Sequence, residues 1–303
     1  MVNPVRINSV SELHRVLGLP KPKHPLISIV DLSALNDRVK TAEVKTVELG
    51  FYSISLKKIV GELRYGRGCY DFEEGSLVFI APNQRISYRN DIFIEEGWAL
   101  YVHPDLLYGT TLGGKMRDFS FFSYDVDEAL HISEDEKKAI NGCLSIIEQE
   151  CAQHLDVHTS SVIISSLELL LTYCNRFYSR QFYTRQRVSS DVVQRFELLL
   201  ENFFSRQSSG SAGLPDVGYF AGKLGYSPSY LSDLLKRYTG KTTQEHIHLY
   251  IVEKAKELLR GTEQNVSSIA YLLGFEHPSH FNKIFKSGTG LSPKNYRESK
   301  GKA

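Results

Sequence analysis

The sequence predicts a two-domain α+β protein, with an N-terminal β-sandwich or barrel in residues 1–185 and an all-α domain in residues 186–303. Three observations lead to this prediction. The chain has 303 residues, about twice the length of an average domain. Residues 27–103 contain many short strand-like runs separated by Gly and Pro. Residues 191–303 contain an internal repeat with helical periodicity.

Composition and cysteine spacing exclude several classes of protein. With 42% hydrophobic and 23% charged residues, the chain resembles an ordinary globular protein. No run approaches the roughly 20 apolar residues of a membrane helix, and the first residues do not lead into an apolar signal segment. The four cysteines have no CxxC spacing and no histidines at metal-ligand intervals. We expect a cytoplasmic protein with reduced thiols, and not a secreted disulfide-rich protein, a membrane protein or a zinc finger.

The two halves of the chain differ in charge. Residues 1–185 contain 20 Lys and Arg against 24 Asp and Glu, whereas residues 186–303 contain 16 against 11. A basic back half behind an acidic front half is typical of a protein in which only the back half binds a polyanion. Random variation of surface charge produces similar numbers, so charge alone leaves both interpretations open.

The N-terminal half begins with a predicted helix and continues into strands. The helix covers residues 9–17, with Ser9 and Glu12 in a capping-box pattern. Strands are predicted around residues 53–56, 77–80 and 98–102, with a turn at residues 65–68. Many short strands separated by Gly and Pro favour a sandwich or a barrel.

From residue 133 onwards the periodicity is helical. Ser133 and Glu136 form a second capping-box pattern, and two amphipathic helices are predicted between Ser133 and Tyr178. Their apolar faces either cover the sheet or pair with a second copy of the chain. We expect pairing, so that residues 133–178 form a homodimer. The polar segment 179–190 is expected to connect the two domains.

The repeat is the strongest signal in the sequence. Its two copies, at about residues 216–238 and 265–288, each contain a short helix, a Gly and a second helix, and each is followed by Thr-Gly. Asp216 and Asn265 are suitable N-cap residues, and Gly225 and Gly274 stand where the first helix of each copy ends. This order is that of a helix-turn-helix unit, and a helix of about residues 243–260 joins the two units.

A helix-turn-helix unit leaves one side of its second helix exposed. Such a helix fits the major groove of B-DNA, and two units on one connecting helix can enter successive grooves about 34 Å apart. The exposed positions are predicted to be Ser229, Tyr230, Ser232, Asp233 and Lys236 in the first copy, and Pro278, Ser279, His280, Asn282, Lys283 and Lys286 in the second. The alternative is a helical domain that binds another protein.

Residues 214–297 closely resemble the DNA-binding domain of AraC/XylS-type bacterial transcription regulators. The resemblance is carried by two segments of the repeat, Leu224-Gly225-Tyr226-Ser227-Pro228 and Thr289-Gly290-x-Ser292-Pro293-x-x-Tyr296-Arg297. It implies base-facing roles for Ser229, Ser232, Asp233, Pro278, Ser279, Asn282 and Lys283. Two features depart from the family pattern: Asp233 stands where a basic residue is frequent, and Gly218 and Gly222 each weaken the first supporting helix by roughly 1 kcal/mol.

The front half is similar to the cupin-like effector domain that precedes this DNA-binding domain in many members of the family. The similarity is carried by residues 75–84. A metal-dependent cupin needs clustered His ligands, and residues 46–102 contain no His, so we expect no metal, no cofactor and no enzymatic activity. His103 is interpreted as a structural residue at a strand end, and Cys69 as a small buried side chain.

A transcription regulator of this kind implies several partners. We expect double-stranded operator DNA, RNA polymerase, a second copy of the chain and a small-molecule effector, with the protein on the nucleoid when bound and a role in activation. The candidate effector-binding residues are Tyr52, Arg64, Tyr65, Arg67, Tyr70 and Trp98. The competing hypothesis is a regulator without an effector, whose front half serves only dimerisation or binding of another protein. A polar cavity inside the sheet favours sensing, and a cavity filled with side chains favours the competing hypothesis.

Overall fold

A five-stranded antiparallel sheet organises the first half of the chain. The computed structural model describes residues 5–35, 46–60, 75–87, 93–125, 128–184, 186–206 and 213–299. These residues belong to two compact units, Met1–Thr184 and Arg185–Ala303. The strands of the large sheet, in spatial order, are β2 (Ile27–Asp31), β7 (Phe93–Val102), β4 (Tyr52–Val60), β5 (Ser76–Ile80) and β8 (Leu130–His131). The three strands predicted from the sequence are β4, β5 and β7, so these predictions are confirmed.

A smaller sheet packs against one face of the large sheet. It contains β1 (Val5–Ile7), β3 (Thr46–Leu49) and β6 (Arg85–Ser87), with β1 parallel and β6 antiparallel to the central β3. Val47 and Leu49 of the small sheet share one apolar cluster with Val30, Ala99 and Tyr101 of the large sheet. The first unit is therefore a β-sandwich, and the second unit is helical. The chain has a two-domain α+β architecture.

Strand register decides which side chains enter the sandwich. Residues directly opposite each other in an antiparallel ladder share a face of the sheet. Ser53 lies opposite Tyr101, and Ser55 lies opposite Ala99. Since Tyr101 and Ala99 belong to the apolar cluster between the sheets, Ser53 and Ser55 also face the interior of the sandwich. Their neighbours on β4 point to the other face.

Helices cover that other face of the large sheet. The exception is α1 (Val10–Val16), because its Leu13 belongs to the apolar cluster between the two sheets. The hydroxyl of Ser9 accepts from the Glu12 amide and caps this helix. The other helices of this unit are α2 (Pro104–Leu107), α3 (Thr111–Lys115), α4 (Glu134–Ala152) and α5 (Thr159–Thr184), with 3₁₀ turns at Ser33–Leu35, Met116–Asp118 and Ser120–Ser123. The capping box predicted for Ser133 and Glu136 is present at the start of α4, so that prediction is confirmed.

The apolar face of α5 is buried within its own chain. The ring of Tyr178 lies 5.5 Å from that of Phe121 and 5.9 Å from that of Phe79 on β5. Leu167 is 1% exposed and Leu171 is 0% exposed, which excludes this face from a contact with a second chain. The expectation that this apolar face pairs two chains is therefore wrong. The sheet and α4 provide enough apolar surface to bury it within one molecule.

A buried polar network fixes the end of α5 to the sheet. The side chain of Gln181 accepts from the His131 amide at 2.8 Å and donates to the Ala129 carbonyl at 3.1 Å. Arg180 donates to the His131 carbonyl and forms an ion pair with Glu136, each at 2.7 Å. These bonds join α4, α5 and β8 immediately before the second unit begins.

The second unit consists of helices. They are α6 (Gln186–Arg206), α7 (Val217–Leu224), α8 (Pro228–Thr239), α9 (Thr243–Gly261), α10 (Val266–Leu272), α11 (Pro278–Thr289) and α12 (Pro293–Glu298). Phe196 and Phe220 pack edge to face at 5.3 Å and attach α6 to the first repeat. None of the helices in the described part of the chain is long and apolar enough to span a membrane.

Candidate nucleic-acid interface

The two copies of the repeat fold into matching helix pairs, α7–α8 and α10–α11. Asp216 caps α7 by accepting from the Tyr219 amide, and Asn265 caps α10 by accepting from the Ser268 amide. Gly225 ends α7 in the left-handed conformation, with a φ of 78°. Pro228 and Pro278 then occupy the first turn of α8 and α11, where no intrahelical N–H bond is needed.

The Thr-Gly pairs end α8 and α11 in the same way. The Thr239 hydroxyl donates to the Leu235 carbonyl at 2.8 Å, and the Thr289 hydroxyl donates to the Phe285 carbonyl at the same distance. Each hydroxyl also accepts from the amide two residues later. Gly240 and Gly290 follow with φ values of 77° and 76°. The Thr-Gly pair therefore ends the second helix of each copy with the same hydrogen bonds and the same left-handed glycine.

Helix α9 connects the two helix pairs. Its 19 residues correspond to a length of about 28 Å at 1.5 Å per residue. The imidazole of His246 makes a 2.6 Å hydrogen bond with the Thr239 hydroxyl, which fixes the end of α8 to α9. Burial lowers the pKa of His246, and Lys241 lowers it further. The neutral ring is thus the form that the fold favours.

The predicted face of α11 is exposed. Phe281 and Phe285 are buried on one side of this helix and attach it to the unit. The other side presents the polar side chains predicted to face DNA, and all but the part-buried Pro278 are exposed: Ser279, His280, Asn282, Lys283 and Lys286. The ring of His280 also makes an edge contact with Phe275 at 5.6 Å. Burial lowers the pKa of the nearby His248, and the charge of His280 lowers it further.

The corresponding face of α8 is more enclosed. Lys236 is exposed, whereas Ser229, Ser232 and Asp233 are part-buried. The Ser232 hydroxyl donates to Thr243 at 3.2 Å, so this side chain supports the start of α9. The two recognition helices therefore differ in how many polar groups they offer to a ligand.

Tyr230 is not an exposed residue of α8. Only 5% of it is exposed, and its ring stacks on Tyr226 at 5.3 Å with 17° between the ring planes. The prediction that Tyr230 is exposed for DNA contact is wrong, because the neighbouring Tyr226 supplies an aromatic surface that covers it. The contact between Phe275 and His280 is the equivalent pair in the second copy.

Sequence reasoning missed one basic residue on α8. Arg237 is exposed and follows Asp233 by four residues, which places both on the same side of the helix. The spacing of four residues from Ser229 to Asp233, and again from Asp233 to Arg237, is the sequence signal that identifies this arginine. Arg237 adds a second cation beside Lys236 at the end of this face.

The described candidate effector residues do not lie inside the sandwich. The ring of Tyr52 packs against Phe122 at 5.0 Å on the helix-covered face of the sheet. The indole of Trp98 donates to Asn141 of α4 at 3.2 Å on the same face. The candidates Arg64, Tyr65, Arg67 and Tyr70, together with Cys69 and the predicted turn at residues 65–68, lie outside the described residues.

The remaining groups of the first unit have structural roles. His103 caps α2 by accepting from the Asp105 amide. Burial raises the pKa of the Cys143 and Cys174 thiols, which lie between α4 and α5, and it raises that of Cys151 to about 11. Within the described ranges, no three His, Cys, Asp or Glu side chains are grouped closely enough to hold a metal ion.

Comparison with known proteins identifies the helical unit. Residues 220–299 match the family described as a helix-turn-helix domain. The transcriptional activator RhaS of Escherichia fergusonii is 23% identical over 244 residues, which cover 72% of this chain and 87% of that protein. The transcriptional regulator YobQ of Bacillus subtilis is 35% identical over 72 residues, which cover 24% of this chain and 30% of that protein.

Two solved structures are also similar to this chain. The C-terminal domain of AraT from Geobacillus stearothermophilus is 30% identical and has a TM-score of 0.31, with 36% of this chain and 84% of that chain covered. ToxT from Vibrio cholerae is 16% identical and has a TM-score of 0.29, with 89% of this chain and 96% of that chain covered. The repeated helix-turn-helix geometry, the matched domain and the regulators similar in sequence lead to one assignment: the helical unit contains a helix-turn-helix domain of the AraC type, and the chain is similar in sequence to transcription regulators that carry such a domain.

Proposed function

We propose that α8 and α11 enter successive major grooves of one operator duplex, and that a small molecule bound in the N-terminal unit controls this binding. The observation that supports the DNA geometry is the pair of matched recognition helices joined by α9. A 19-residue helix spans about 28 Å, which is compatible with grooves that repeat every 34 Å or so. The residues proposed to reach the DNA are Ser229, Ser232, Asp233, Lys236, Pro278, Ser279, His280, Asn282, Lys283 and Lys286.

Selection of duplexes from a random DNA library tests the DNA geometry with the full-length protein. We expect two short conserved elements whose centres are about 10 base pairs apart. Asn282→Ala is expected to relax the sequence of one element only, because α11 reads one groove. If the selection enriches no sequence, the alternative of a helical domain that binds protein is favoured. If it enriches a single conserved element, the proposal that both helices contact DNA is contradicted.

The N-terminal unit is proposed to sense a small molecule and to pass the signal to RNA polymerase through operator binding. The competing hypothesis is a regulator without an effector, whose N-terminal unit serves only dimerisation or binding of another protein. The name of RhaS describes a transcriptional activator, which supports a role in activation. Transcription from an operator template with purified polymerase, with and without a cell extract of small molecules, distinguishes the hypotheses. An output that no extract changes favours the regulator without an effector.

A homodimer remains part of the proposal, through the outer side of α4 and α5. Three apolar residues on this side are exposed by 37–47%: Ile146, Val162 and Leu169. Leu169→Asp adds a charge at the surface without disturbing the buried face of α5. We expect this variant to sediment as a monomer while remaining folded, whereas a variant that still sediments as a dimer excludes this surface.

A further inference from the structure

The two copies of the repeat hold their recognition helices on α9 in different ways. In the first copy, a polar contact attaches α8: the Thr239 hydroxyl and the imidazole of His246 on α9 are 2.6 Å apart. In the second copy, Gly288 of α11 lies directly against the side chain of Val252 on α9. The two recognition helices are therefore positioned by different contacts.

Gly288 stands where the first copy has Tyr238. The Thr-Gly pairs align the two copies, so residue 288 corresponds to residue 238. Gly288 lies within α11, immediately before the last residue of this helix. Glycine weakens a helix relative to alanine because its backbone has more freedom to lose, and it is used where two parts of a protein approach closely.

The space in front of Gly288 is filled by Val252. A Cβ atom at residue 288 would lie 3.0 Å from Cγ2 of Val252 and 3.5 Å from its Cγ1. Non-bonded carbon atoms attract each other best at about 3.5–4.0 Å, so the shorter distance is repulsive. Gly288 is otherwise exposed, and only the Cβ position that faces α9 is constrained. Helix α11 thus approaches α9 at a distance that a residue with a Cβ atom does not allow without a shift.

Neither side of this contact can relieve crowding by a change of rotamer. Val252 is 3% exposed and lies inside α9. A β-branched side chain within a helix has one strongly preferred rotamer. The Cβ atom of residue 288 is fixed by the backbone of α11. Because close-packed interiors transmit strain, a side chain at residue 288 is expected to move α11 itself.

The C-terminal helix α12 holds α11 at a second point. The ring of Tyr296 packs edge to face on Phe285 of α11 at 5.3 Å. The next residue, Arg297, donates to the Leu259 carbonyl of α9 at 3.0 Å. Since α12 ties Phe285 to the end of α9, crowding at Gly288 is expected to tilt α11 rather than to move it away as a whole.

We propose that Gly288 is a positioning residue for DNA binding, which lets α11 lie on Val252 in the orientation that aims Asn282 and Lys283 into one groove. Gly288 itself contacts no DNA and acts through these two side chains. This inference rests on the proposed function, because it requires α11 to enter a groove. It also gives the two recognition helices separate means of alignment, a hydrogen bond for α8 and close packing for α11.

Hydroxyl-radical footprinting and binding titrations of the full-length protein on its selected operator test this role. Gly288→Ala is expected to weaken operator binding by about fivefold or more, the low end for the loss of one base contact. The patch protected by α11 is expected to weaken while the patch protected by α8 is retained. A variant that merely folds less well has a smaller competent fraction and weakens both patches together, so the pattern separates positioning from loss of stability.

Val252→Ala supplies the rescue and Gly222→Ala the control. Val252→Ala removes both Cγ atoms and leaves its Cβ 3.7 Å from a Cβ at residue 288, which is an ordinary contact. The double variant Gly288→Ala with Val252→Ala is expected to bind within about twofold of Val252→Ala alone and to regain the second patch. Gly222 of α7 has open space at its Cβ position, so Gly222→Ala is expected to bind the operator as the parent does.

The proposal is overturned if Gly288→Ala keeps the affinity and both patches of the parent, a result that leaves the proposed function intact. It is also overturned if the double variant binds as weakly as Gly288→Ala. A parent that protects no second patch contradicts the proposed function and this inference together. If Gly288→Ala does not fold, the double variant decides: recovery of both patches supports the proposal, and their absence overturns it.

Discussion

At the scale of single residues, the two recognition helices are not equivalent. On α11 the side chains of Asn282 and Lys283 are exposed. On α8 the equivalent Ser232 is engaged with Thr243, and Asp233 is part-buried and also has an interaction partner. Because α11 offers the larger set of exposed polar groups, we expect this helix to contribute more affinity for DNA than α8.

Lys283→Ala tests this asymmetry. An exposed lysine of α11 can reach a guanine edge or a phosphate, so its loss is expected to weaken operator binding by about 1–3 kcal/mol. The matched control is Lys254→Ala, because Lys254 lies on α9 and forms an ion pair with Glu257. Binding titrations against the selected operator measure both variants. An equal effect of the two substitutions refutes a special role of Lys283, and a larger loss from Asp233→Ala than from Lys283→Ala refutes the asymmetry.

His246 makes the second unit sensitive to acid. Its pKa is held below the ordinary value of 6.5, so the folded protein binds fewer protons at this ring than the unfolded chain. The contribution of His246 to the stability of the folded protein is therefore present above the unfolded pKa of about 6.5 and is lost as the pH falls below it. His246→Gln is expected to flatten part of the pH dependence of the melting of the second unit, whereas the exposed His158→Gln leaves it unchanged. A parent protein with equal melting at pH 7.5 and 5.5 contradicts this account.

At the scale of elements, much of the second unit could be predicted from the sequence. Caps, glycine stops and the repeat are local signals, and each N-cap predicted in the repeat is present in the structure. Burial in the first unit was harder to predict, because the alternation of polar and apolar residues along β4 does not reveal that both faces of this strand are covered. Tyr230 was misplaced for the same reason: its burial depends on Tyr226, which helical periodicity within α8 does not include.

Gly222 within α7 and Gly225 at its C-terminal end are expected to respond in opposite directions to replacement by Ala. Gly222 lies within the helix with open space at its Cβ position, so Gly222→Ala is expected to raise the free energy of unfolding by up to about 1 kcal/mol. Gly225 has a φ of +78°, so Gly225→Ala is expected to lower it by about 1–2 kcal/mol. Urea unfolding of the second unit measures both. Changes of the same sign would show that the conformation of Gly225 is not what this stop requires.

At the scale of the whole molecule, the change in the sign of the net charge coincides with the boundary between the two structural units. The acidic half forms the sandwich, and the basic half forms the helical unit. The affinity for DNA is expected to fall with salt at a slope of about −0.9 per phosphate contact on logarithmic axes. Lys283→Ala reduces this slope by about one if the lysine binds a phosphate, and it leaves the slope unchanged if the lysine reads a base. A salt-independent affinity contradicts binding to a polyanion.

Hydroxyl-radical footprinting of the full-length protein on its selected operator tests the central claim most directly. Two matched helix pairs on one connecting helix predict two protected patches on the same face of the duplex, about one helical turn apart. Lys236→Ala with Arg237→Ala is expected to weaken one patch, and Asn282→Ala with Lys283→Ala the other. A single patch, or the loss of both patches from either pair of substitutions alone, would contradict the proposal that each helix-turn-helix unit occupies its own groove.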